Sequence, residues 1–370
     1  MRPRTSLCMT CVFLATGCLY IPRSQNSKHV EGIAIVDVRD GEFQFILSGP
    51  FRKEAIALAD DAGRRFYTLQ FEKDASELRT RTYEGNLVAA SKLGAFQTDW
   101  GIWYKREYTL SSQADRIAHY SYGSRSINVF DVPSLTDTVL LVGVPDIAGI
   151  RWVSDRELVF VSFLPLAGSK KPTNPELQEA VVRVSVPEGK PEVLYRGARI
   201  SVVSPVAWSA DCRKVAFFEE TVAFTGGKKR KAVEKVIMTI VDLQTREVLR
   251  VDTDSCISWA AWSPDGEYVG YVSGLADLTL YSIRDKESRF VTKLPAAIIL
   301  GLAFLDKERI VVDPYGEKWG LLIVDITTGK CRYVFVHNAC WDFMPIDGGK
   351  RILADVSLKE DQIPPDRTVR

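Results

Sequence analysis

Ala261-Trp262-Ser263-Pro264-Asp265-Gly266-Glu267-Tyr268-Val269-Gly270-Tyr271-Val272-Ser273 decides the fold. An apolar strand ends at Trp262, and a second, alternating strand starts at Tyr268. Between them, proline fixes one turn position and glycine accepts a positive φ at another. The same grammar recurs at Ala207-Trp208-Ser209-Ala210-Asp211, which runs into Lys214-Val215-Ala216-Phe217-Phe218. It recurs at Arg151-Trp152-Val153-Ser154-Asp155 and at Ala303-Phe304-Leu305-Asp306. Degenerate copies stand at Leu58-Ala59-Asp60-Asp61, Leu110-Ser111-Ser112-Gln113-Ala114 and Met344-Pro345-Ile346-Asp347-Gly348. The equivalents of Trp262 are thus positions 58, 110, 152, 208, 262, 304 and 344. Their mean spacing, about 48 residues, suits one four-stranded propeller blade per repeat.

A second hairpin follows each anchor. Ile127-Asn128-Val129-Phe130-Asp131, Met238-Thr239-Ile240-Val241-Asp242 and Leu321-Leu322-Ile323-Val324-Asp325 each alternate and then enter a polar turn. Each blade therefore reads as strands A and B around the anchor turn, then C and D around the second turn. After the seventh anchor only Arg351 to Val356 reads as a strand, and Pro364 and Pro365 lie in a polar tail. The missing hairpin stands at the other end, from Gly32 to Leu47. The fold expected is all-β: a seven-bladed β-propeller over residues 32–357, closed by N-terminal strands that complete the last blade. Closure removes exposed sheet edges.

At these residues the sequence resembles the TolB-like branch of WD-repeat β-propellers, whose repeat carries a Trp-Ser-Pro-Asp-Gly turn. Trp262 to Gly266 matches that turn in full, and the resemblance covers residues 31–357. Asp325 to Lys330 resembles the Asp-x-x-Thr-Gly-Lys element of quinoprotein-type propellers.

The N-terminus reads differently. Arg2 and Arg4 precede an apolar run from Leu7 to Ala15, followed by Thr16, Gly17 and Cys18. That is a signal-peptide pattern, and the run is too short to span a bilayer. Leu14-Ala15-Thr16-Gly17-Cys18 resembles the bacterial lipoprotein signal, which implies acylation of Cys18 and cleavage before it. Residues 1–17 are then the signal, 18–31 a linker from lipidated Cys18, and 358–370 a polar C-terminal tail. The expected location is the cell envelope, membrane-anchored on a periplasmic or extracellular face. Cys212, Cys256, Cys331 and Cys340 have no Cys-x-x-Cys spacing and read as buried thiols in strands.

Lys and Arg total 48 against 47 Asp and Glu, a balance that excludes a dedicated nucleic-acid binder. Three histidines leave little room for a multi-histidine metal site, and no cofactor is expected. The sequence has no Gly-x-Ser-x-Gly elbow, P-loop, dinucleotide fingerprint or His-Glu-x-x-His, so no catalytic residue is assigned. Asp37, Asp131, Asp242 and Asp325 recur at one repeat position and read as turn formers. His119 reads as a satisfied sheet histidine, and Trp152, Trp208, Trp262 and Phe304 as packing between blades.

Two features remain for binding. Trp100, Trp103, Trp259 and Trp341 precede anchors, near the D–A connections around one channel mouth. They read as binding anchors or as a plug. Phe163 to Ala180 and Glu219 to Lys235 read as long B–C connections in adjacent blades. They carry Lys170, Lys171, Lys228, Lys229, Arg230 and Lys231, either a solvated charge run or a site for an acidic partner or anionic lipid surface. The expected function is a non-enzymatic platform for other envelope proteins. The alternatives are a propeller hydrolase or lyase, or a glycan or small-ligand binder, with its site at the channel mouth. Asp99, Asp146, Asp252, Asp254 and His337 are the polar candidates there.

Overall fold

The computed structural model describes residues 29–47, 53–71, 76–93, 108–121, 123–163, 174–197, 199–200, 206–225, 230–253, 257–274, 276–296, 298–315, 319–337, 339–363 and 368–369. At the deciding stretch, Ile257–Trp262 and Tyr268–Ser273 are antiparallel strands. Ser263 Oγ donates to Asp265 Oδ1 at 2.6 Å and accepts the Tyr268 N–H at 2.9 Å, while Gly266 takes φ +71°. The anchors at 208 and 110, which keep the serine, keep these bonds. Ser209 Oγ donates to Asp211 at 2.7 Å, and Ser111 Oγ to Asp115 at 2.6 Å. Cys212 and Ala114 take the positive φ there. A serine and an aspartate thus hold the turn even where glycine is missing.

Each anchor turn joins the first two strands of a small sheet. The first blade is β3 (Lys53–Asp60), β4 (Arg65–Phe71), β5 (Ser76–Thr82) and β6 (Leu87–Lys92). The second is β7 (Tyr108–Leu110), β8 (Arg116–Ser121), β9 (Ser126–Asp131) and β10 (Thr136–Val142). The third is β11 (Ile147–Ser154), β12 (Glu157–Ser162), β13 (Ala180–Ser185) and β14 (Pro191–Arg196). The fourth is β15 (Ala207–Trp208), β16 (Lys214–Thr225), β17 (Arg230–Asp242) and β18 (Val248–Thr253). The fifth is β19 (Ile257–Trp262), β20 (Tyr268–Ser273), β21 (Asp277–Ser282) and β22 (Ser288–Lys293). The sixth is β23 (Ile298–Phe304), β24 (Arg309–Tyr315), β25 (Gly320–Asp325) and β26 (Cys331–Val336).

The seventh blade uses both ends of the chain. Its order is β27 (Ala339–Ile346), β28 (Arg351–Lys359), β1 (His29–Asp37), β2 (Phe43–Leu47) and β29 (Thr368–Val369). Ile33 stands opposite Asp355 and Val36 opposite Ile352, as the closure reading requires. The polar tail also supplies β29, parallel to β2. The seven-bladed propeller expected from the repeats is the fold found.

First strands of neighbouring blades touch: β3 with β7, β7 with β11, β15 with β19, β19 with β23, β23 with β27, and β27 with β3. They form the inner ring, and outer strands such as β6 and β22 are largely exposed. The core therefore lies between blades. Val272, Leu278 and Leu280 of the fifth pack with Leu302, Phe304 and Ile310 of the sixth. The anchor tryptophans bridge blades as expected: Trp262 Nε1 donates to the Ala207 carbonyl at 3.1 Å, and Trp152 Nε1 to that of Thr109 at 3.2 Å. Asp37, Asp131, Asp242 and Asp325 accept turn N–H groups at 2.7–2.9 Å, so they are turn formers.

Two expectations need correction. The connection from Glu219 to Lys235 is not a loop. β16 and β17 stay paired out to Thr225 and Arg230, a ribbon that prolongs the blade. Val222-Ala223-Phe224 and Ala232-Val233 have the composition of strand, and the ladder continues while both sides supply it. Nor are the cysteines uniformly buried strand thiols: Cys212 lies in a turn and Cys331 is exposed. Cys256 lies outside the described residues.

Candidate functional site

The anchor pairs fix one register for all seven blades. Residues 58, 110, 152, 208, 262, 304 and 344 stand opposite Tyr67, Ile117, Leu158, Val215, Val269, Ile310 and Leu353. Three residues further along the second strand come Gln70, Tyr120, Val161, Phe218, Val272, Asp313 and Val356, all buried. Apolar or aromatic side chains fill that position in five blades. Asp313 alone puts a carboxyl there, at a cost in desolvation.

β24 brings Asp313 toward the end of the ring where its strand stops, opposite Gly301 of β23. His337 follows β26, in the connection that leads back to the inner ring, and Cys340 lies at the start of β27. The carboxylate oxygen, imidazole nitrogen and thiol sulfur offered by Asp313, His337 and Cys340 lie within 4.8 Å of one another. His337 Nε2 is 3.2 Å from Asp313 Oδ1, with the two side chains 1% and 2% exposed. That contact lacks the alignment of a hydrogen bond. Both ring nitrogens of His337 and Oδ1 of Asp313 are buried without a hydrogen-bond partner.

The electrostatics are those of an anionic enclosure. Burial pushes the Asp313 carboxyl up, and His337 partly opposes this. Burial also pushes the Cys340 thiol well up, and the carboxylates of Asp313, Asp342 and Asp355 add to it. Asp342 and Asp355 are register partners across β27 and β28. Cys340 Sγ donates to the Asp342 carbonyl at 3.3 Å. One oxygen, one nitrogen and one sulfur can hold a metal ion.

Of the site candidates taken from the sequence, only His337 belongs to this cluster. Cys18, Asp99, Trp100, Trp103, Lys170, Lys171, Lys228, Lys229 and Asp254 lie outside the described residues. Arg230 and Lys231 belong to β17 and Trp341 to β27, with side chains outside them. Trp259, on β19, is half-buried against the core between the fifth and sixth blades. Asp146 is buried, 3.8 Å from Arg125, and Asp252 meets Lys235 at 2.8 Å. His119 Nε2 lies 3.1 Å from Asp137, the sheet partner that a satisfied histidine needs. The sequence carries one signal for Asp313, its polarity at a position that is apolar in most copies of the repeat, inside an otherwise apolar strand. Cys340 reads from sequence as a core thiol.

No protein-family model matches the chain, and no curated protein matches it. Among solved structures it is similar to an oligogalacturonate lyase in complex with manganese, at 16% identity and TM-score 0.58, covering 92% of this chain and 99% of that one. It is similar to an oligogalacturonate lyase from Vibrio parahaemolyticus, at 14% identity and TM-score 0.57, covering 89% and 98%. TolB from Acinetobacter baumannii matches at 15% identity and TM-score 0.39, covering 79% of each chain. At these identities the likeness is one of fold. It still corrects the expectation that the chain is not an enzyme. That expectation rested on missing linear motifs, and this ring is an enzyme scaffold in the two lyases. In a propeller, reactive groups converge from separate blades, where no contiguous motif records them.

Proposed function

We propose that the chain is a propeller enzyme of the lyase class, with its active site where Asp313, His337 and Cys340 meet and an acidic oligosaccharide as substrate. The observation that carries this reading is the buried Asp313–His337 pair, 3.2 Å apart, with both ring nitrogens and Asp313 Oδ1 left without a hydrogen-bond partner. A fold gains little stability from a carboxyl at an apolar position, so a reactive role accounts for it better than packing does. The reaction class and the substrate class come from the two lyases that share the ring over nearly its whole length.

Elimination from a uronate needs a base for the proton beside the carboxylate and positive charge to stabilise that carboxylate as charge builds up. The Asp313, His337 and Cys340 cluster, holding a dication, would supply that positive charge. The strands are antiparallel, so B–C and D–A connections leave from the same end of the ring. Lys170 and Lys171, between β12 and β13 in the sequence, and Lys228, Lys229, Arg230 and Lys231, where the sequence passes from β16 to β17, would gather an acidic chain there. The anchor belongs to the same proposal: acylated Cys18 would hold the ring at the envelope. Cys18→Ser should then move the protein to the soluble fraction with its precursor uncut, and membrane retention with normal processing contradicts the anchor.

The test is a panel of uronate oligomers, galacturonate first, with ultraviolet absorbance of the new double bond as readout. Wild-type protein is expected to form unsaturated product from at least one of them. Asp313→Asn and His337→Ala, still folded, should lose it by about 100-fold or more. A folded, metal-supplied wild type that forms none across the panel overturns the lyase reading.

A further inference from the structure

We infer that Asp313, His337 and Cys340 form a metal centre that selects a zinc-class dication over manganese or magnesium. The inference deepens the proposed function, since it concerns the same three residues, but it stands on separate observations. The first is the spacing: one oxygen, one nitrogen and one sulfur donor lie within 4.8 Å of one another, brought together from β24, the connection after β26, and β27. The second is the contact between two of them. His337 Nε2 and Asp313 Oδ1 are 3.2 Å apart yet not aligned as a hydrogen bond. Two ligands on one tetrahedral zinc, at about 2.0–2.2 Å from the ion, are separated by about 3.3–3.6 Å. The pair, at 3.2 Å, is within about 0.1 Å of the short end of that range.

The third observation is want of partners. Both nitrogens of a histidine side chain that is 1% exposed, and Oδ1 of a carboxyl that is 2% exposed, make no hydrogen bond. Native interiors rarely leave such atoms unsatisfied unless something else occupies them.

The donor set decides which metal. Thiolate and imidazole are ligands of zinc, whereas magnesium and manganese favour carboxylate, carbonyl and water oxygens. Three protein ligands leave a fourth position open, the arrangement of catalytic rather than structural zinc. When bound, the ion would supply a Lewis acid for a substrate oxygen or carboxylate.

The experiment measures metal binding directly, on the full chain purified without chelator. Zinc at one equivalent per chain is expected by elemental analysis. After replacement by cobalt(II), visible bands of a four-coordinate site and a near-ultraviolet thiolate-to-cobalt band should appear. Cys340→Ser should remove the thiolate band, and His337→Ala should weaken zinc binding by about 100-fold, the share of one ligand in a typical site. Chelator treatment of the wild type gives a second measurement that needs no variant: the cobalt spectrum should return only when metal is restored. Manganese retained in preference to zinc, or a cobalt spectrum unchanged in folded Cys340→Ser, overturns the inference. Zinc bound without elimination on any uronate supports the metal centre and removes the lyase reading. Elimination by metal-free protein that zinc does not alter, with no zinc bound, does the reverse.

Discussion

Trp262 ties two blades with one indole hydrogen bond, and the side chain is otherwise buried. Trp262→Phe should cost about 1 kcal/mol through that bond, and Trp262→Ala about 3–5 kcal/mol through the cavity as well, measured by urea unfolding. Asp61 ties the first blade to the seventh. It accepts the Asp347 N–H at 2.8 Å, the Gly348 N–H at 3.2 Å and the Tyr83 hydroxyl. Burial opposes ionisation, but these bonds and the charge of Arg351 hold the Asp61 carboxyl below its ordinary range. A carboxylate held low adds stability above the unfolded value, near pH 4, and loses it as pH falls through the folded value. The melting temperature should therefore fall in acid, and Asp61→Asn should flatten that limb. At neutral pH the substitution should cost about 1 kcal/mol, because solvent screens this exposed site. At this scale the sequence was uneven. Trp262 to Gly266 could be read because strand, turn and strand are contiguous. Asp313 shows in sequence only as a polar residue at an apolar position; its role depends on His337 and Cys340, which come from another strand end and another blade.

The β16–β17 ribbon is the element that departs most from its siblings. Its sequence reads as a loop because Gly226-Gly227 and a run of cations dominate the middle of the segment. The flanking residues pair instead, with only a register shift at Thr221 and Val222. Local composition marks where a hairpin turns, but the length of its arms depends on pairing across the turn, which a single strand does not display. The ribbon reaches beyond the blade, so its charges are separable from the fold. Replacing Lys170, Lys171, Lys228, Lys229, Arg230 and Lys231 with serine should leave the melting temperature within about 2 °C of wild type. Affinity for an acidic oligosaccharide should fall, and its salt dependence should flatten, since exposed charges act over about 8–10 Å at physiological salt. An unchanged salt slope in a binding titration would remove the six cations from the site.

The ring as a whole was legible because seven copies of one grammar, with a hairpin missing at one end and supplied at the other, leave few ways to arrange the strands. Its closure rests on β1, which lies between β28 and β2 and pairs over nine residues with β28. Deleting residues 29–47 should expose the β28 edge and abolish the cooperative melt, with aggregation seen by size exclusion. A soluble truncation that still melts in one transition would contradict closure by both ends. The same pairing puts the ring on a clock. During synthesis β1 and β2 emerge first, yet their partner β28 comes almost last. For most of that time the early hairpin waits while six blades assemble behind it. The slowest step of folding should then be the meeting of the chain's two ends, which pays the largest loop-closure entropy in the molecule. Until it occurs, every nascent copy carries two open sheet edges and depends on whatever shields them.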